Sequence, residues 1–133
     1  MGDGIPMLMC MNNNCLQFES LEAWSTARHL AREIYTLCRR APLARDLGLC
    51  DQLRRAAVSI MNNVAEGWES RHPKEKAQFY NIARRSCGEV RSMSYVLLDN
   101  QYINETEHSE LRDCCVSSGK LVSGLLRTVT SPS

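Results

Sequence analysis

The chain has 133 residues, 44% of them hydrophobic but only 6% aromatic. That length makes one domain with room for a core, and seven glycines and four prolines are too few for a turn-dense all-β fold. Sixteen basic residues against fifteen acidic ones leave a net charge of +1, so the totals do not describe a strongly basic nucleic-acid binder.

Residues 1–17 show no hydrophobic period and are expected to form a flexible tail. They lack the basic start and long apolar run of a signal peptide. Met9, Cys10 and Met11 offer soft sulfur donors, but too few for a metal site. A first helix is expected from Ser20, as N-cap, to Arg40. Trp24, Ala27, Ala31, Ile34 and Cys38 recur at helical spacing and form its inner face. His29 and Glu33 form an i, i+4 surface pair on its outer face. Pro42 ends it, because the residue before a proline avoids helical angles.

The second helix starts between Asp46 and Asp51 and contains the most informative stretch, QLRRAAVSIMNNVAEG, residues 52–67. Leu53, Ala57, Ile60 and Val64 share one face. Arg55, Ser59, Asn62 and Glu66 repeat the same spacing behind it, flanked by Val58 and Ala65. Arg55 and Glu66 are roughly 16 Å apart along the axis and cannot pair with each other. A helix that is apolar on one side and half apolar on the other serves a core and an interface at once. Arg55, Val58, Ser59, Asn62, Ala65 and Glu66 are therefore candidate subunit-interface residues. Gly67 suits the left-handed C′ position that ends a helix.

Pro73 and Glu75 open a third helix. It runs to about Asn100, with Phe79, Ala83, Ser86, Val90, Met93 and Leu97 inside. Glu89, at the edge of that face, is expected to form a partly buried ion pair with Arg54 or Arg55. Asn104 caps a fourth helix, with Glu107 completing a capping box. Its inner face is Leu111, Cys115, Ser118, Val122, Leu125 and Val129. Four helices with short links predict an all-α, antiparallel up-down-up-down four-helix bundle over residues 18–130, with a polar end at 131–133.

The 52–67 stretch resembles the signature of the small four-helix-bundle family named after proteins encoded in intervening sequences of bacterial large-subunit rRNA. That pattern is close to QLRRAAVSIPANIAEG. The resemblance continues through Lys74-Glu75, Phe79, Ile82-Ala83, Ser86 and Glu89, and backwards to Phe18, Leu21, Trp24 and Ala27. It implies a ring-forming homo-oligomer, typically a pentamer. In one related branch, the accessory variability protein of diversity-generating retroelements, it implies association with reverse transcriptase and nucleic acid through basic outer faces. Met61 stands where the family has a proline, which predicts a straighter second helix.

Seven cysteines, an odd number with no C-x-x-C, read as reduced cytoplasmic thiols rather than a disulfide framework or a zinc site. No segment approaches the ~18 apolar residues of a membrane span. There is no P-loop, G-x-S-x-G, Rossmann fingerprint or H-E-x-x-H. Glu105-x-x-His108 is a single metal-type pair without a second copy. No catalytic residue, cofactor or metal is expected, nor a membrane partner.

Local charge departs from the total. Residues 71–91 hold six basic side chains against two acids, a net +4, and residues 99–113 hold five acids against one arginine, a net −4. Arg71, Lys74, Lys76, Arg84, Arg85, Arg91 and Tyr95 are candidate nucleic-acid-binding residues, a basic strip with an aromatic. The expected function is a non-enzymatic oligomeric scaffold that binds RNA or a nucleoprotein complex. The alternative is a purely protein–protein assembly module.

Overall fold

The computed structural model describes residues 17–130. The tail expected at 1–17, apart from Gln17, lies outside the described residues, as do Cys10, Cys15 and the end at 131–133. Four helices make up the described chain: α1 (Glu22–Cys38), α2 (Leu47–Glu69), α3 (Pro73–Asp99) and α4 (Glu105–Thr130), with short 3-10 turns at Phe18–Ser20 and Leu43–Arg45. Helices adjacent in sequence pack together, and α1 closes the square against α4.

The direction of each helix follows from the contacts at its ends. Arg40, just past α1, donates to both Glu107 carboxylate oxygens at 2.6 and 3.3 Å and to the Tyr102 carbonyl at 3.3 Å. The Tyr102 hydroxyl donates to Asp46 Oδ2 at 3.0 Å. Asp46 Oδ1 in turn accepts the Leu49 N–H at 3.2 Å and caps α2. So the end of α1, the start of α2, the end of α3 and the start of α4 gather at one end. At the other end, Lys76 in the first turn of α3 donates to the carbonyls of Gly67 and Trp68 at 3.1 and 2.9 Å. The helices therefore alternate up and down.

Most of the expected inner-face residues form the core, while Trp24, Leu125 and Val129 are half-buried and pack against its edge. Ala27, Leu30, Ile34, Leu53, Ala57, Ile60, Val64, Ala83, Val90, Leu97 and Val122 are fully buried. Each large aliphatic among them contributes about 1.5–3 kcal/mol by leaving water. An exposed ion pair contributes about 0–1 kcal/mol, so the core rather than the surface charge holds the bundle. Asn104 and Glu107 form the expected capping box: Asn104 Oδ1 accepts the Glu107 N–H at 2.8 Å, and Glu107 Oε1 accepts the Asn104 N–H at 3.0 Å. Pro73 is in the first turn of α3. α2 runs unbroken through Met61.

Four expectations are corrected. Ser20 does not cap α1; it belongs to the preceding 3-10 turn, and Leu21 holds the cap position without a side-chain bond. Gly67 does not end α2. It is buried inside the helix, which continues to Glu69, and it is glycine because the Tyr80 ring lies where a Cβ would be. Tyr80 takes the buried position against Gly67, while the expected Phe79 is only half-buried. Finally, Glu89 is exposed and makes no ion pair with Arg54 or Arg55 among the described residues. Arg55 pairs with Asp51 at 3.2 Å one turn earlier on its own helix, and Arg54 stacks over the Tyr35 ring at 5.8 Å. Arg54 is thus turned to α1 and Arg55 to solvent, and α3 meets α2 at this level through Ser86, which donates to Ser59 Oγ at 3.0 Å.

Candidate nucleic-acid interface

The basic residues of α3 matter through their place beside α4. The register is set at Cys87, whose thiol donates to Ser118 Oγ at 3.5 Å and whose Cβ would lie 3.8 Å from a Cβ on Gly119. With residue 87 level with 118–119 and the helices antiparallel, the cations alternate across the seam. Arg127 comes first, then Arg84, then Lys120, then Arg91, over roughly 18 Å at 1.5 Å per residue. They border a groove of about 700 Å³ that Arg85 also lines, with no acid among the described residues of its walls. Gly88 and Gly119 keep the floor low, and a Cβ at Gly88 would meet nothing within 4 Å. Cys87 and Cys115 lie beneath. Burial pushes both thiols up, Cys115 to about 12, and the Arg91 charge offsets this only in part. They are packing residues here, not nucleophiles.

The structure brings Arg84, Arg85 and Arg91 together as the sequence suggested and leaves the other four candidates apart. Arg71 and Lys74 are exposed at the α2–α3 link and the first turn of α3, where Lys74 is roughly 15 Å along the axis from Arg84. Lys76 caps the carbonyl end of α2 and lies 5.6 Å from the Trp68 ring centroid. Tyr95 is 46% exposed, but it is not in the groove wall, and its ring meets His108 at 4.5 Å in an edge contact. The groove thus has no base-stacking aromatic among the described residues. Lys120 and Arg127 were missed by sequence reasoning. Their i, i+7 spacing marks one α4 face, but only the α3–α4 register shows which face.

The interface candidates on α2 divide as well. Ser59 is engaged inside the subunit, accepting from Ser86 and from Asn63 Nδ2, each at 3.0 Å. Ala65 is half-buried, and Asn62 and Glu66 are exposed. Val58 is half-buried beside Met61 and the 41%-exposed Tyr35, in a shallow groove of about 520 Å³ between α1 and α2.

The profile of the 23S rRNA-intervening sequence protein family matches residues 19–124. The chain belongs to that family. Its fold is similar to a crystal structure from Bacteroides thetaiotaomicron, described as a protein with unknown function from the S23 ribosomal protein family. The TM-score is 0.73 and the identity 16%, over 79% of this chain and 95% of that one. At that identity the likeness concerns the fold alone. No curated protein matches the chain. Among the described residues of this family member, no group of three or more His, Cys, Asp or Glu side chains is placed to hold a metal ion. No helix among them is long and apolar enough to cross a membrane.

Proposed function

We propose that this protein is a non-enzymatic, self-assembling scaffold that holds nucleic acid along the α3–α4 groove. The observation that carries the reading is the alternating row of cations around a small-residue floor, with no acid among the described residues of its walls. At the ~3.4 Å axial rise per nucleotide of a stacked strand, roughly 18 Å spans about five nucleotides. Arginine forks match phosphate oxygens in two-point contacts. The groove has few groups suited to base edges, so its binding reads little sequence. The half-exposed Tyr35, Val58 and Met61 on α1 and α2 support assembly through the opposite face, and a ring of copies would repeat the groove and multiply a weak single-site affinity. We read the assembly as a pentamer. The free thiols at Cys38, Cys50, Cys87, Cys114 and Cys115 support a cytoplasmic setting.

The test is a gel-shift titration and a sizing run on two samples, the parent and an Arg84→Gln, Arg91→Gln, Lys120→Gln variant. Glutamine keeps helix propensity. The parent should bind unrelated RNAs with similar affinity, falling steeply with salt. The variant should stay folded and oligomeric and lose binding. A parent that binds neither RNA nor DNA at low salt removes the nucleic-acid reading. If the variant loses assembly instead, the groove cations pair with acids of a second copy, as a protein–protein module requires.

A further inference from the structure

We propose that Cys38 and Cys50 form a modification site, a thiol pair that a hydroperoxide converts to a disulfide joining the end of α1 to the first turn of α2. The carrying observation is reciprocal geometry. Cys38 Sγ lies 4.0 Å from the Cys50 carbonyl oxygen, and Cys50 Sγ lies 3.9 Å from the Cys38 carbonyl oxygen. Each side chain is aimed at the other residue's backbone, so the two Cα–Cβ directions converge, as a disulfide needs. Both thiols are free and buried, 4% and 1% exposed. Burial alone is explained by cysteine acting as a small hydrophobe; the mutual aim is not. No other described cysteines are arranged this way. Cys87 turns to Ser118, and Cys114 and Cys115 are consecutive on α4, where side chains diverge by about 100°.

The pair stands beside an exposed link. Residues 39–42 are exposed, and the link 39–46 leads directly into Cys50, whose thiol donates to the Leu43 carbonyl at 3.3 Å. Burial and the neighbouring Cys50 push the Cys38 thiol up to about 12, and in the proposed sequence the other thiol of the pair, Cys50, attacks first. Its thiolate attacks one peroxide oxygen; the O–O bond breaks, Cys50 becomes a sulfenic acid and the hydroxide released takes a proton to form water. Cys38 sulfur then attacks the Cys50 sulfur. The S–S bond forms, the S–O bond breaks, and hydroxide leaves with the Cys38 proton as a second water. Two thiols and one hydrogen peroxide become one disulfide and two waters. The cross-link closes a short loop and stabilises the fold mainly by constraining the unfolded chain.

The experiment treats the full chain with hydrogen peroxide, alkylates it in denaturant and digests it with trypsin without reductant. Cleavage after arginine puts Cys38 on peptide 33–39 and Cys50 on peptide 46–54. The expected product is these two peptides joined, two hydrogens lighter than their sum and separated by dithiothreitol. The midpoint of thermal unfolding should rise by roughly 5 °C on oxidation and return on reduction. Cys50→Ser should remove both the joined peptide and the shift. Recovery of 33–39 and 46–54 as separate alkylated peptides after peroxide overturns the proposal. So does either cysteine linked to a different one, or sulfinic acid accumulating at Cys50 while Cys38 stays alkylated. Mapping of the parent decides even if the serine variant folds poorly.

Discussion

Gly67 of α2 lies against the ring of Tyr80 on α3 so closely that a Cβ there would stand 2.7 Å from Cδ1 and 3.1 Å from Cζ. Tyr80 is only 1% exposed, so its ring has little room to retreat. Gly67→Ala should destabilise the bundle by about 1–3 kcal/mol through overpacking. An exposed mid-helix glycine behaves oppositely, and Gly88→Ala, with open space around it, should stabilise by up to about 1 kcal/mol. Urea unfolding of the two variants checks the sign of each. A stabilised Gly67→Ala would mean that the two helices are farther apart than described.

The Arg40–Glu107 contact predicts a pH dependence. Hydrogen bonds from Arg40 and from the Asn104 backbone hold the Glu107 carboxyl below the usual carboxylate range. A depressed carboxylate stabilises the fold at pH values above its unfolded pKa, and that contribution is lost as pH falls through the folded value. Unfolding midpoints measured from pH 7 down to pH 3 should therefore drop more steeply for the parent than for Glu107→Gln. Since both side chains are partly exposed, a double-mutant cycle with Arg40→Met should give a coupling of at most about 1 kcal/mol near neutral pH. Equal slopes for parent and variant would contradict the assignment.

The two faces of α2 separate core from surface. Ile60 is fully buried, and Ile60→Asp places an unpaired charge in the core and should unfold the subunit. Val58 is half-buried beside Tyr35 and Met61. Val58→Asp should leave a folded chain of reduced assembly, as seen by circular dichroism together with light scattering. Identical behaviour of the two variants would show that the α2 faces are misassigned.

The binding role expected of Lys76 is given in the proposal above to Lys120, which the sequence did not single out. Lys76 bonds the last carbonyls of α2, so Lys76→Gln should cost about 1 kcal/mol of stability and leave RNA affinity nearly unchanged. Lys120 lines the groove, so Lys120→Gln should leave stability within about 0.5 kcal/mol and weaken RNA binding with a shallower salt dependence. Denaturation and filter binding on both variants would test this assignment.

The helical faces were legible because burial follows a 3.6-residue period. Leu53, Ala57, Ile60 and Val64 recur at that spacing and are all buried. The Asn104–Glu107 cap was legible because its partners are three residues apart. What could not be read depends on how one helix meets another. Nothing near Phe79 and Tyr80 says which of them turns inward; the room for Tyr80 lies on α2, at the missing Cβ of Gly67. Nothing local to Lys76 says that the end of α2 lies within its reach. The candidate groove was half visible, because Arg84 and Arg91 share an α3 strip, but Lys120 and Arg127 join them only through the α3–α4 register.

The alternating directions of the helices also decide where the chain could be reopened. α1 begins at the end of the bundle where α4 finishes, and these two helices are neighbours. A short linker could therefore join residues 17 and 130 across the surface, and new termini could be cut elsewhere. The link 70–72 is three residues long, and among the described residues no side chain from α1 or α4 is bonded to it, so a circular permutant opened there should keep the fold. Opened at 102–104, the same chain would sever the backbone between the Tyr102 contact with Asp46 and the capping box of α4. The two cuts thus differ in what they disconnect: the first frees a turn, and the second frees the strap on which all four helices converge.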